Sequence, residues 1–167
     1  MFTNQIIRHK DADSSILDRV IALKQSAWPY PKESQLAWMQ TNLKDNDLHV
    51  ILMQDGNDVA YLNLCVIHCK INGEELQCWG IGNVCSAVKG MGYGKGLMSI
   101  TNNWLKLNNQ IGLLFCHSHV ERFYSKSGWL KLEKEVCKIS GITPEVHTYI
   151  YNNRKPIHSI IYKDRLF

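Results

Sequence analysis

A mixed α/β domain built on a mostly antiparallel sheet is the fold class the sequence predicts, and three observations predict it. Apolar runs with a period of two fill residues 48 to 88 and are interrupted at Asp55-Gly56 and Asn72-Gly73. Those dipeptides supply the positive φ angles of tight hairpins, so three antiparallel strands follow one another as a meander. Helical three-four spacing precedes this block and follows it, and strand-like runs return towards the end.

The elements follow in order. "NQIIRH" reads as a first strand. "SSILDRVIALKQSAW" opens on Ser14 as its N-cap and sets Leu17, Val20, Ile21 and Trp28 on one helical face, and Pro29 and Pro31 stop it. "ESQLAWMQTNL" is a second short helix, after which "LHVILMQ", "VAYLNLCVIHCKI" and "EELQCWGIGNVCSAV" are the three strands of the meander. Beyond the glycine cluster "AVKGMGYGKGLM", residues Leu97, Ile100, Thr101, Trp104 and Leu107 (or Leu105) mark an amphipathic helix. "IGLLFC" is a buried strand, and "HVERFYSKSG" is a helix closed by Gly128. "WLKLEKEVCKI" alternates as another strand, and "HTYIYNN" and "HSIIYK" offer one or two more. No repeat or linker interrupts the series, so residues 1–167 read as one domain.

Composition narrows the function. The chain is 45% hydrophobic and 20% charged, which suits one packed core. A net charge of +4 fits an anionic small ligand, but no Lys/Arg block of the nucleic-acid-binding kind occurs, so no nucleic-acid partner is expected. Arg8, His9 and Lys10 break the first apolar patch, and no run reaches the ~18 apolar residues of a membrane span, so a cytoplasmic protein without a membrane partner is expected. Most of the six cysteines sit in strand-like apolar runs and read as reduced, buried thiols. "CVIHC" lacks a second ligand pair, and alternation sends Cys65 and Cys69 to one face and His68 to the other, so no metal site is expected.

Four glycines in seven residues need a use, because each costs roughly 0.5–1 kcal/mol of backbone entropy in regular structure. A P-loop fails: Gly90 to Gly94-Lys95 is one residue short, and Gly96 replaces the hydroxyl that holds magnesium. A dinucleotide fingerprint fails as well, since its third glycine falls on Lys95, Leu97 or Ser99 and no acidic residue lies about 20 positions on. What remains is a strand ending near Val88, a loop of free amides, and a helix whose positive end begins near Tyr93. Such a junction binds an anion, with Lys89 and Lys95 adding charge.

"VKGMGYGKGLM" resembles motif A of the GNAT superfamily of N-acetyltransferases, whose Arg/Gln-x-x-Gly-x-Gly/Ala falls on Lys89, Gly90, Met91, Gly92, Tyr93 and Gly94. "HSHVERFYSKSGW" resembles its motif B, one helix and one strand downstream. Lys89 departs from the usual Arg or Gln and lacks the planar fork.

The resemblance implies an acyl-CoA N-acyltransferase fold: a sheet splayed between its fourth and fifth strands, with helices on both faces. It implies acetyl-CoA as cosubstrate, with the pyrophosphate on the amides of residues 89 to 94 and the pantetheine arm along Gly82, Asn83 and Val84. The implied reaction is direct attack of a small-molecule or peptide amine on the thioester in a ternary complex. Tyr124 matches the general acid that protonates the leaving sulfur. No Asp or Glu lies between Cys78 and Val88 to serve as base, which leaves His117 and His119 as the titratable candidates. Cys85 and Cys116 flank the implied cleft, where a nucleophilic thiol is an alternative to direct attack.

"QIGLLFCHSHVERFYSKSGW" is similar to the aminoglycoside 2'-N-acetyltransferases, but the acid they carry early on the fourth strand aligns with Gly80. A catalytically silent CoA-binding regulatory domain is the other alternative. Trp28, Tyr30, Trp38, Tyr149 and Tyr151 are candidates to line the acceptor side or fill the core, and a homodimer through the terminal strands stays open.

Overall fold

The computed structural model describes all residues from Met1 to Phe167. The chain divides into two compact units, one of Met1–Cys65, Gly82–Thr101 and Phe167, the other of Val66–Ile81 and Asn102–Leu166.

The first unit starts with strand β1 (Phe2–Arg8), then helices α1 (Ser14–Gln25) and α2 (Lys32–Asn42) and strand β2 (Leu48–Gln54). Strands β3 (Asn57–Ile71) and β4 (Glu74–Ser86) and helix α3 (Tyr93–Leu107) run through both units. β2 pairs antiparallel with β1 and with β3, placing Val50 opposite Ile6 and Leu62. The first hairpin turns on Asp55 and Gly56, at φ 50° and 82°. The N-cap of α1 is Asp13 and not Ser14: an Asp13 carboxylate oxygen accepts from the Ile16 N–H at 3.0 Å. An ionised carboxylate is the stronger acceptor, and one step back it reaches the same orphan amides. Arg19 on α1 forks onto both carboxylate oxygens of Asp58, at 2.8 and 2.7 Å, and so fastens the helix to β3. The buried face of α1 is Val20, Ile21, Leu23 and Lys24, and Trp28 lies past the helix end.

In the second unit β4 pairs in parallel with β5 (Gly112–His117), at Trp79↔Gly112 and Gly80↔Leu113. The ladder ends there, which is the splay expected between these strands. β8 (Val146–Tyr151) runs antiparallel to β5 and carries β6 (Leu130–Lys131) on its other side. β9 (Ile160–Tyr162) pairs with the end of β3 and in parallel with β7 (Cys137–Ile139). The hydrogen-bonded order is β1-β2-β3-β4-β5-β8-β6, with β9 and β7 off this path. The expected single strand "WLKLEKEVCKI" is therefore two strands, split by a 3-10 turn at Lys134–Val136. β6, paired with β8, is exposed at both residues, and only β7, paired with β9, alternates, half-burying Cys137 and Ile139.

Helix α4 (Glu121–Lys126) is shorter than expected, since Ser118–Val120 forms a 3-10 turn. Gly128, at φ 83°, closes it as expected, and the N–H groups of Ser127 and Trp129 both donate to the Tyr124 carbonyl. On α3 the inward positions are Leu97, Met98, Thr101 and Leu105, whereas Leu107 is 78% exposed. The second hairpin turns on Asn72 and Gly73, at φ 50° and 88°. The Asn72 side chain also donates to the Pro156 carbonyl at 2.8 Å and accepts from the N–H groups of His158 and Ser159 at 2.7 and 3.1 Å.

None of the six cysteines is in a disulfide; Cys137 is half-buried and the others are buried. Cys65 and Cys69 point inward and His68 outward, as alternation requires. No helix is long and apolar enough to cross a membrane.

Candidate functional site

The glycine cluster resolves into two kinds of position. Gly90 and Gly92, at φ 84° and 78°, form the loop between β4 and α3, and a Cβ on either would point into open space. Gly94 and Gly96 lie inside α3, where the Gly96 N–H bonds the Gly92 carbonyl at 3.0 Å. A Cβ on Gly96 would stand 3.2 Å from Cδ2 of Leu52, so this glycine lets α3 sit close on β2. Lys89, Gly90, Met91 and Gly92 are exposed and Tyr93 is half-exposed, its ring edge-on to Phe2 at 6.2 Å. These exposed loop residues stand at the start of a 15-residue helix, at the positive end of its dipole.

The end of β4 carries the residues expected to face a pantetheine arm. Gly82 is buried, and a Cβ on it would stand 2.4 Å from the carbonyl carbon of Phe167. Asn83 and Val84 are half-exposed. Asn83 adopts a left-handed φ of 53° in mid-strand, and its side-chain amide donates to the Asn63 carbonyl oxygen. This conformation, which breaks the regular pleat at the end of β4, carries no signal in the sequence beyond the tolerance of Asn for it. Cys85 lies against α1, its thiol 3.6 Å from the Leu23 carbonyl. Burial pushes this thiol up to about 12, with Lys24 opposing, so at neutral pH it is a protonated thiol and a poor nucleophile.

Lys24 itself is 3% exposed, with its ammonium 4.1 Å above the Trp38 ring centroid. Burial pushes it down to about 8, against the opposing influence of Cys85. The sequence reading passed over it, although residue 24 lies four positions beyond Val20 on the same helical face.

In the second unit Tyr124 is buried on α4, its ring 5.0 Å from Phe123 and 6.4 Å from Tyr149. Burial, and secondarily Cys116, push its phenol well above the usual tyrosine range. Cys116 is itself pushed up to about 11 by burial, with Glu121 adding to the shift. His117 ends β5, exposed and stacked on His119 with ring centroids 6.0 Å apart. Glu121, which the sequence reading did not single out, receives Lys131 at 2.8 Å and His147 at 3.1 Å. Among the aromatic candidates for the acceptor side, Tyr149 and Tyr151 fill the core, Trp28 and Trp38 are half-buried, and Tyr30 is 61% exposed.

The sequence matches no protein-family model, and no curated protein matches it. Solved structures do resemble the fold. Escherichia coli ElaA superposes with a TM-score of 0.63 at 19% identity, over 90% of this chain and 99% of that one. An acyl-CoA N-acyltransferase from Pseudomonas aeruginosa gives 0.63 at 18% identity, again over 90% and 99%. The ribosomal-protein-S18-alanine N-acetyltransferase of Escherichia coli gives 0.62 at 14% identity, over 99% of this chain and 100% of that one. With the parallel β4–β5 pair, the glycine loop opening α3 and these superpositions together, the chain has the GNAT N-acyltransferase fold.

Proposed function

We propose that residues 1–167 form a single acetyl-CoA-dependent N-acetyltransferase acting in the cytoplasm on a primary amine of a small molecule or peptide, by direct attack in a ternary complex. The observation that carries this reading is the β4–loop–α3 junction, where Gly90 and Gly92 leave open space over exposed amides at the positive end of a helix. That space admits pyrophosphate oxygens, and Lys89 and Lys95 add charge beside them. Gly82, Asn83 and Val84 offer main chain to the pantetheine arm.

Bound acetyl-CoA supplies the activated thioester. Tyr124 holds a proton on its hydroxyl for the leaving sulfur. Its raised pKa keeps that proton in place at neutral pH, and because a thiol is the stronger acid its transfer to the leaving sulfur is uphill, drawn forward by departure of the products. His117, exposed at the end of β5, is the histidine assigned to the acceptor's proton.

Thiol release from acetyl-CoA across a panel of amines tests the reading. Release with any amine supports it. Calorimetric CoA binding with no release from any amine would replace it with a silent CoA-binding domain. A pH–rate profile unmoved by His117→Ala would remove that histidine from the mechanism.

A further inference from the structure

Three loops of the second unit line one cavity of about 560 Å³. They are the β3–β4 hairpin, the turn between α3 and β5, and the segment that follows β8. Side-chain amides lock all three. Asn72 on the hairpin holds Pro156, His158 and Ser159. Asn152, left-handed at φ 61°, donates to the Gln110 carbonyl at 2.8 Å, and the Gln110 side chain accepts from the Trp79 indole N–H at 3.0 Å. The walls are therefore fixed before anything enters, and a preformed hollow of this size falls in the range that holds a small organic molecule, roughly 300–1,000 Å³.

The lining divides by what each side chain already holds. Leu76 and Ile111 are half-exposed and give the cavity an apolar wall. Arg154, Lys155, Glu74, Gln77 and Asn109 are exposed, and none of their side chains makes a hydrogen bond or an ion pair within the chain. Two cations and a carboxylate thus line one hollow without closing on one another. An anion between the cations relieves their repulsion: the planar arginine fork matches two phosphate oxygens, and the lysine adds a point charge. A carboxylate only accepts, so it needs O–H or N–H donors from its ligand. A side-chain amide sets a donor beside an acceptor, the pattern that pairs with the N6/N7 edge of adenine.

We propose that this cavity binds a nucleoside monophosphate with an adenine base. Its phosphate lies between Arg154 and Lys155, its ribose hydroxyls donate to Glu74, the amides of Gln77 and Asn109 take the base edge, and the base packs on Leu76 and Ile111. A bare inorganic anion would leave Glu74 and the apolar wall unused, and a neutral apolar molecule would leave both cations unused. All the lining residues belong to the second unit, whereas residues 89 to 94 of the glycine loop belong to the first. The site does not rest on the acetyl-transfer reading.

Calorimetry on the full chain at low salt, with adenosine 5′-monophosphate (AMP) as the probe, tests this. One AMP per chain should bind, with unchanged affinity in saturating CoA. Arg154→Gln and Lys155→Gln should each weaken it at least tenfold, with circular dichroism showing that these exposed positions leave the fold intact. Adenosine and inorganic phosphate should each bind at least tenfold more weakly than AMP. The 2′,3′-dideoxy analogue should bind several-fold more weakly than AMP to wild type and equally well to Glu74→Gln. Absence of AMP binding, an affinity for inorganic phosphate equal to that for AMP, or wild-type affinity in Arg154→Gln overturns the proposal. Displacement of AMP by CoA also overturns it, because the nucleotide is then on the acyl-CoA site. AMP bound as described by a chain that binds no CoA overturns the acetyltransferase reading and leaves this site standing.

Discussion

Cη2 of Trp129 stands 2.5 Å from the point a methyl group on Gly112 would occupy, and Cδ1 of Leu105 stands 2.8 Å from it. The indole has little room to yield, because Trp129 is 2% exposed and its N–H is held by Asn102 at 2.9 Å. Gly112→Ala should therefore cost about 1–3 kcal/mol by overpacking, read as a lower urea midpoint. Combined with Trp129→Phe its cost should fall, because the two sites share one volume.

Gly92→Ala should separate binding from stability. The methyl group clashes with nothing in the protein, but it strains a φ of 78° and fills the space above the loop amides. A stability loss of about 1–2 kcal/mol is expected, together with at least a tenfold weaker CoA affinity by calorimetry. Gly73→Ala, at φ 88° in the second hairpin, should lose similar stability and keep its CoA affinity.

Tyr124→Phe keeps the ring against Phe123 and Tyr149 and removes only the hydroxyl. Turnover with a responsive amine should fall by about 10²-fold, the usual scale of a lost general acid, while the acetyl-CoA dissociation constant stays within about twofold. Stopped-assay rates and calorimetry together decide it. Unchanged turnover would remove the role.

Lys24→Met should stabilise the chain. An ammonium at 3% exposure is a cost, and methionine matches its length without the charge. The folded group titrates at about 8 against 10.5 for the free side chain. As pH falls from 10.5 to 8 the unfolded chain takes up the proton first, and stability is lost through that window. The expected gain is about 1–3 kcal/mol at pH 7, shrinking towards pH 10.5, measured by urea unfolding at both.

His49 adds a second window, on the acid side. Burial lowers its folded value to about 4 from an ordinary 6.5, so between these the unfolded chain is protonated and the folded one is not. Stability should drop by roughly 3 kcal/mol as pH falls from 6.5 to 4 and then level off. His49→Gln should remove most of that slope in urea midpoints taken at pH 7.5 and 4.5.

The elements written in local chemistry were legible in the sequence. β2 spans Leu48–Gln54 as expected, because its apolar run is bounded by turn residues, and both hairpins turn on the dipeptides whose positive φ angles predict them. The glycine loop before α3 was legible for the same reason, since Gly90 and Gly92 owe their place to backbone conformation. Features set by partners distant in sequence were not. The partner changes between β6 and β7, Asn83 turns left-handed within a strand, and Gly96 answers to a leucine 44 positions away. Lys24 escaped notice because a charged residue on an apolar face is outvoted by its neighbours. His49 and Tyr61 looked like ordinary strand residues, and only the pairing of β2 with β3, and the turn after β1, bring His9, His49 and Tyr61 into one row of hydrogen bonds.

Asn72 does two jobs with one side chain. As a turn residue it is interchangeable with glycine, which takes the same φ at lower cost, and a designer improving the hairpin would write glycine there. That edit would delete the amide that holds Pro156, His158 and Ser159. The segment leading into β9 would then keep, at this corner, only the bond from the Asn72 main-chain N–H to the Ser159 carbonyl. A change that looks like idealisation within a four-residue window would loosen a strand more than 80 residues away, so position 72 is constrained by the end of the chain as much as by its own turn.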